Sequence, residues 1–182
     1  MEKSFLKRVS LISLLGLMVI VAGCVINVGS CAMRAKYQRT VRLSAPMSPG
    51  SSFEARTHNG YIEVAGGDVT DCNLTATITA RAVTEEEAQK LAERTTVKLE
   101  SFGNRLIAKI DKPKFMMNQS VSVSLDIQVP NESDLELTTH NGSVLIKDIE
   151  GELNGTTHNG KVTTERVSGT AKLHTHNGSV IC

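Results

Sequence analysis

The chain has 182 residues, the length of one domain, with 20 basic and 19 acidic side chains and a net charge of +1. That balance leaves no electrostatic footprint for nucleic acid, and with 3% aromatics and no Trp there is no platform for stacked bases. Packing falls to Val, Ile, Leu and Thr, types that suit strands.

Residues 1–23 read as an export signal. The basic "MEKSFLKR" precedes the apolar "VSLISLLGLMVIV", and small residues lead to Cys24 in "VAGC". This order resembles the lipobox of bacterial lipoproteins, which makes Cys24 the expected lipidation site; "VGSC", ending at Cys31, is a poorer match. The competing reading is an uncleaved membrane anchor over residues 9–28, a mostly apolar stretch long enough to span a bilayer. Either way the basic end stays in the cytoplasm, the rest is exported, and 24–39 form a tether. By analogy with lipoproteins, Val25 after Cys24 fits sorting to an outer membrane.

A β domain is expected over 40–182. "FEARTHNGYIEV" places Phe53, Ala55, Thr57, Ile62 and Val64 on one face. "NLTATITARAV" alternates as a strand and carries Cys72 just before it; spacing leaves Cys72 and Cys182 either bridged or as unpaired thiols. "TEEEAQKLAERT" reads as a short helix with Thr84 as N-cap and Glu87 three residues on. "TTVKLESFGNRLIAKI" reads as a hairpin across Gly103 and Asn104, and "SVSVSLDIQV" as a strand closed by Pro130.

From residue 131 the chain repeats. His140, His158 and His176 are eighteen residues apart, as are Thr139, Thr157 and Thr175, and Val144, Val162 and Val180. Each unit holds two alternating runs joined at "THNG", a tetrapeptide that also occurs at 57–60. Asn-Gly is a turn signal, so Asn59-Gly60, Asn141-Gly142, Asn159-Gly160 and Asn177-Gly178 are expected to be structural corners, with Gly160 at positive φ. Eighteen residues trace a path of roughly 60 Å, which suits one coil of a β-solenoid or one hairpin of a meander. Identical residues at each turn favour the solenoid, where they stack ~4.8 Å apart. The expected fold is therefore mainly β, a β-solenoid or β-helix of about 18 residues per coil, with one short helix inserted in the N-terminal half.

The exported leader, "THNGYIEV", the helical insertion, "DIQVP" and the tandem units together resemble a bacterial putative-adhesin family of unknown function, over about residues 40–182. The resemblance implies a β-solenoid exported to the cell envelope. It implies no catalytic residues.

His140, His158 and His176 should project outward, opposite the buried threonines, with His174 on the same face and the His58 copy on a separate coil. Stacked imidazoles could hold Zn²⁺ or Cu²⁺, so these four are the metal-ligand candidates; a solvated corner row is the other reading. No nucleophile elbow, phosphate loop or zinc-protease motif occurs. The expected function is a non-enzymatic, membrane-anchored envelope protein without a cofactor, whose surface serves adhesion, binding or scaffolding toward a protein or glycan. A metal-binding exported protein and a polysaccharide-active enzyme are the alternatives. Because the third unit stops halfway, at Cys182, further units or a cap are expected beyond it, or else pairing of the last coil with another chain.

Overall fold

Alternation at period two, with β-branched and small residues on the inner positions, produces thirteen strands among the described residues, with one helix packed on them. The computed structural model describes residues 35–114 and 118–182, so the signal, the anchor at 9–28 and Cys24 lie outside the described residues. β1 (Ala35–Pro46), β2 (Ser51–Asn59), β3 (Ile62–Gly67) and β4 (Asp71–Ala82) lead to α1 (Glu85–Glu93). β5 (Thr96–Phe102), β6 (Arg105–Asp111) and β7 (Ser120–Pro130) follow. The repeats supply β8 (Ser133–Asn141), β9 (Val144–Lys147), β10 (Glu150–Asn159), β11 (Val162–Glu165), β12 (Ser168–Asn177) and β13 (Val180–Ile181).

A seven-stranded sheet runs in the order β1-β4-β7-β3-β9-β11-β13, and a six-stranded sheet in the order β12-β10-β8-β2-β6-β5. Each Asn-Gly corner carries the chain from the six-stranded sheet to the seven-stranded one. Residues equated by the eighteen-residue period are the ones that pair, in parallel: Leu135 with Leu153, Thr139 with Thr157, Val144 with Val162. Parallel pairing rules out an antiparallel meander for these units. The fold as a whole is coarser than the expected solenoid. It is mainly β in two mixed sheets, antiparallel where β1, β4 and β7 pair and where β5 meets β6, and no closed solenoid is formed.

The inner face is as the alternation dictates. Phe53, Ala55, Ile62, Val64, Leu135, Leu137, Val144 and Ile146 are all buried, within one hydrophobic cluster that draws on both sheets. In the last unit the cover thins, and Val180 is 42% exposed. Thr84 caps α1, its hydroxyl accepting from the Glu87 N–H at 3.3 Å, and the helix buries Ala88, Leu91 and Ala92 over β1 and β4. Ala35–Arg39, counted with the tether on sequence, belong to β1. Arg39, at an inward position of β1, interrupts the apolar pattern there, and it is accommodated because its Nη2 donates to the Thr95 carbonyl at 2.8 Å.

The corner glycines correct a second expectation. Of the four, Gly60 alone has φ in the left-handed region, at 134°; Gly160 does not. Glycine is required at the later corners for space. A Cβ on Gly142 would lie 2.0 Å from the Gly60 carbonyl oxygen, one on Gly160 2.0 Å from that of Gly142, and one on Gly178 1.8 Å from that of Gly160. These are backbone atoms held by the ladder and cannot swing aside. Gly160→Ala is therefore expected to destabilise by on the order of 1–3 kcal/mol in denaturant unfolding. His158→Ala, at an exposed position of the same corner, should have the smaller effect; equal losses would show that close approach does not fix the residue.

Candidate functional site: the repeated corner

Each letter of THNG has a physical task. The threonine is buried at 57, 139 and 157 and half-buried at 175, and its hydroxyl donates across to the preceding corner: Thr139 Oγ1 to the Gly60 carbonyl at 3.0 Å, Thr157 to that of Gly142 and Thr175 to that of Gly160, both at 2.9 Å. Thr57 does the same toward the Val123 carbonyl of β7 at 2.9 Å. The glycine N–H groups of residues 60, 142 and 160 donate to the Asn141, Asn159 and Asn177 carbonyls of the following unit. Corner backbone is thus paired between units as well as within them, at turns that are half-buried or exposed.

The asparagines form a ladder. Asn177 Nδ2 donates to Asn159 Oδ1 at 2.8 Å, Asn159 to Asn141 at 2.7 Å, and Asn141 to Asn59 at 2.8 Å. The histidines stand outside as a continuous stack: His58 on His140 at 4.7 Å, His140 on His158 and His158 on His176 at 4.6 Å, with rings within 8° of parallel. His58 is therefore the first member of the row and not on a separate coil, because β2 pairs directly with β8. Parallel rings aim their nitrogen lone pairs side by side and do not converge on one ion, which needs bonds of about 2.1 Å. His174 lies two residues before His176 on the same exposed face, outside the stack. Among the described residues no group of three His, Cys, Asp or Glu is arranged to hold a metal.

A charged cluster on the outer face of the six-stranded sheet was not anticipated from sequence. Arg56 contacts Glu54 at 2.7 Å and Glu136 at 2.6 Å, while Arg105 of β6 contacts both carboxylates. Glu54 and Glu136 pair in register across β2 and β8, and that adjacency could have been read by aligning the early unit with the later ones; nothing in sequence marks Arg105. The cluster borders a cleft of about 160 Å³ and is charge-balanced, two cations on two carboxylates. Cys72 is buried and its thiol is pushed up to about 12 by that burial, Cys182 is exposed, and both are unpaired thiols, so the bridge between them is not formed.

No family model and no curated protein matches the chain. Among solved structures it is similar to a putative cell adhesion protein from Clostridium sporogenes, at 10% identity and a TM-score of 0.41 over 79% of this chain and 98% of that one. It is also similar to a putative adhesin from Bacteroides fragilis, at 17% identity and a TM-score of 0.46 over 78% of this chain and 61% of that one. A putative lipid binding protein from Parabacteroides distasonis is similar at 13% identity and a TM-score of 0.30, over 81% of this chain and 62% of that one. These likenesses assign no site or activity to this chain.

Two outcomes follow from the corner. Thr157→Val keeps the shape but leaves the Gly142 carbonyl without its hydroxyl donor, at an expected cost of about 1–2 kcal/mol, measured by denaturant unfolding. An unchanged midpoint would show the hydroxyl to be idle. The second concerns pH. Desolvation first, then the like charges of His176 and His140, hold the His158 pKa below its ordinary 6.5. The folded state then binds fewer protons than the unfolded one, so the stability is full above 6.5 and is lost as pH falls below it. Asp148 and Glu152, held below the ordinary carboxylate range by Arg166 and Lys172, titrate lower still. Thermal midpoints should therefore drop between about pH 7.5 and about pH 5.5, and drop less in His158→Gln. An equal drop in both would remove the row as the cause.

Proposed function

We propose that this chain is a non-enzymatic envelope protein, exported and held at a membrane by lipid on Cys24 or by a span over residues 9–28. Its stacked units work as a solenoid-type array whose outer surface binds a partner or scaffolds the envelope. The observation that carries this reading is the set of outward rows. Imidazoles and amides repeat at strand spacing on a face backed by a rigid core, so the surface is extended and regular where an enzyme would need one enclosed site. The carboxylates nearest to an acid–base pair, Glu54 and Glu136, are both engaged by Arg56 and Arg105, which disfavours the polysaccharide-active alternative. The parallel, non-convergent rings disfavour the metal-binding one.

Two measurements test it. Wild-type chain should fractionate with membranes and take up labelled palmitate, and Cys24→Ala should lose the label. Label at the wild-type level in the variant would remove Cys24 as acceptor. Incubated with envelope polysaccharide, the purified chain should leave polymer length unchanged; shortened polymer would replace the binding reading with an enzymatic one.

A further inference from the structure

The corner between β2 and β3 has a neighbour unlike the others. On one side it meets the next unit through the shared ladder. On the other it meets β7, which carries serines at its outer positions and no THNG. The asparagine ladder therefore stops at Asn59. Its Oδ1 accepts from Asn141, but its own Nδ2 donates to no group among the described residues. Four side-chain amides are aligned head to tail, each polarising the next, and Asn59 is the donor end of the chain.

That end faces an open, shallow depression of about 450 Å³. Asn59, Tyr61, Arg81, Ser120, Ser122 and Ser124 line it. No carboxylate does. Arg81, near the end of β4, is exposed and has no ion pair or hydrogen bond among the described residues, and its cross-strand partner on β1 is a second exposed cation, Lys36. Asp126, farther along β7, accepts the Tyr61 hydroxyl at 3.0 Å. Burial first and that carboxylate next raise the Tyr61 phenol above its ordinary value, so it stays a neutral donor and its ring is pinned with 40% exposure.

We propose that this site binds a carboxylated sugar, its carboxylate taken by Arg81 and the free amide of Asn59 and its ring laid on Tyr61. The planar guanidinium matches a carboxylate with two parallel N–H donors. The polarised amide adds a donor at the positive end of a dipole chain. An aromatic ring with a tethered hydroxyl offers an apolar face beside polar groups, which suits the C–H face of a sugar. The Ser122 hydroxyl donates to the Asn59 main-chain carbonyl at 2.9 Å, and the hydroxyls of Ser120 and Ser124 meet the sugar's alcohols. A bare anion would use the cation and leave the ring and the hydroxyls idle. The proposal deepens, and rests on, the reading of the outer surface as a binding face, and it is independent of how the chain is anchored.

The test is calorimetric titration of the full chain in detergent with an oligogalacturonate, against a neutral gluco-oligosaccharide of equal length and against inorganic phosphate. The oligogalacturonate should bind, and the other two should bind at least tenfold more weakly. Arg81→Gln should weaken uronate binding at least tenfold. So should Asn59→Asp, which keeps an acceptor for Asn141 while replacing the free N–H donor with a negative charge; Arg81→Lys should fall between. Matching thermal midpoints of Arg81→Gln and wild type establish that the surface change leaves the fold intact. Failure of the uronate to bind at millimolar concentration overturns the proposal, as does equal binding of the neutral sugar or phosphate, or indifference to Arg81→Gln. A chain that carries lipid on Cys24 yet ignores the uronate overturns this site and leaves the envelope reading standing. A chain that binds the uronate and shortens it supports the site and overturns the non-enzymatic reading.

Discussion

The structure depends on one close contact, the carbonyl of a corner glycine lying where the next corner's Cβ would be. Gly60, Gly142 and Gly160 each place that oxygen within about 2 Å of the position a Cβ would take on the glycine one unit on. The approach lets the same oxygen accept the threonine hydroxyl of the following unit, and it draws the two asparagines to 2.7–2.8 Å. Any side chain at the glycine would push successive units apart, and the hydroxyl bond, the amide ladder and the imidazole stack would lengthen together. Four residues repeat because one distance binds them all.

Within this frame the inward and outward sides obey different rules. Inward positions tolerate exchange so long as volume is kept: Leu137 is matched by Gly155 and Leu173, and a Cβ on Gly155 would meet the Leu173 side chain at 3.0 Å. Neighbouring side chains fill what glycine leaves. Outward positions instead keep identity at the corner, where contact runs between copies of the same residue, and lose it away from the corner. Glu136 aligns with Asn154 and then Lys172; Glu136 meets Arg56 and Arg105, whereas Asn154 and Lys172 both donate to Glu152. In the regular part of the surface the asparagine amides thus already have partners within their own row.

Much of this was legible in the sequence. Period two assigned faces, so Phe53, Leu135, Val144 and their equivalents are buried as the pattern requires. Period eighteen gave the register of β8 to β13, because in parallel pairing the repeat length is the register. What could not be read was contact between segments distant in the chain. His58 joins the row because β2 pairs with β8 across 82 positions, and pattern alone does not order units separated by an insertion. β1 was obscured by a single inward arginine, Arg39, whose Nη2 donates to the Thr95 carbonyl while its buried Nε has no partner among the described residues. Gly160 was assigned the right residue requirement for the wrong cause, since Asn-Gly signals positive φ in an isolated turn and close approach in a stacked one.

Parallel stacking has a polarity that antiparallel pairing cancels. Every unit adds its amide in the same sense, so unsatisfied donors do not scatter along the array but collect where the repeat meets a strand of another kind. β7 is such a strand. It continues the seven-stranded sheet beside β3 and receives the Thr57 hydroxyl on the Val123 carbonyl, so backbone matching survives the junction. The amide ladder does not, for Ser122 stands on β7 where the next asparagine would be, and its hydroxyl donates to the Asn59 carbonyl at 2.9 Å instead of accepting from the Asn59 amide. A backbone ladder that continues past a side-chain ladder that stops yields a rigid floor with free polar groups above it, which is the usual requirement for binding without reorganisation. In this chain, recognition chemistry is therefore concentrated at the internal break in the repeat, and the repeat itself supplies the rigidity.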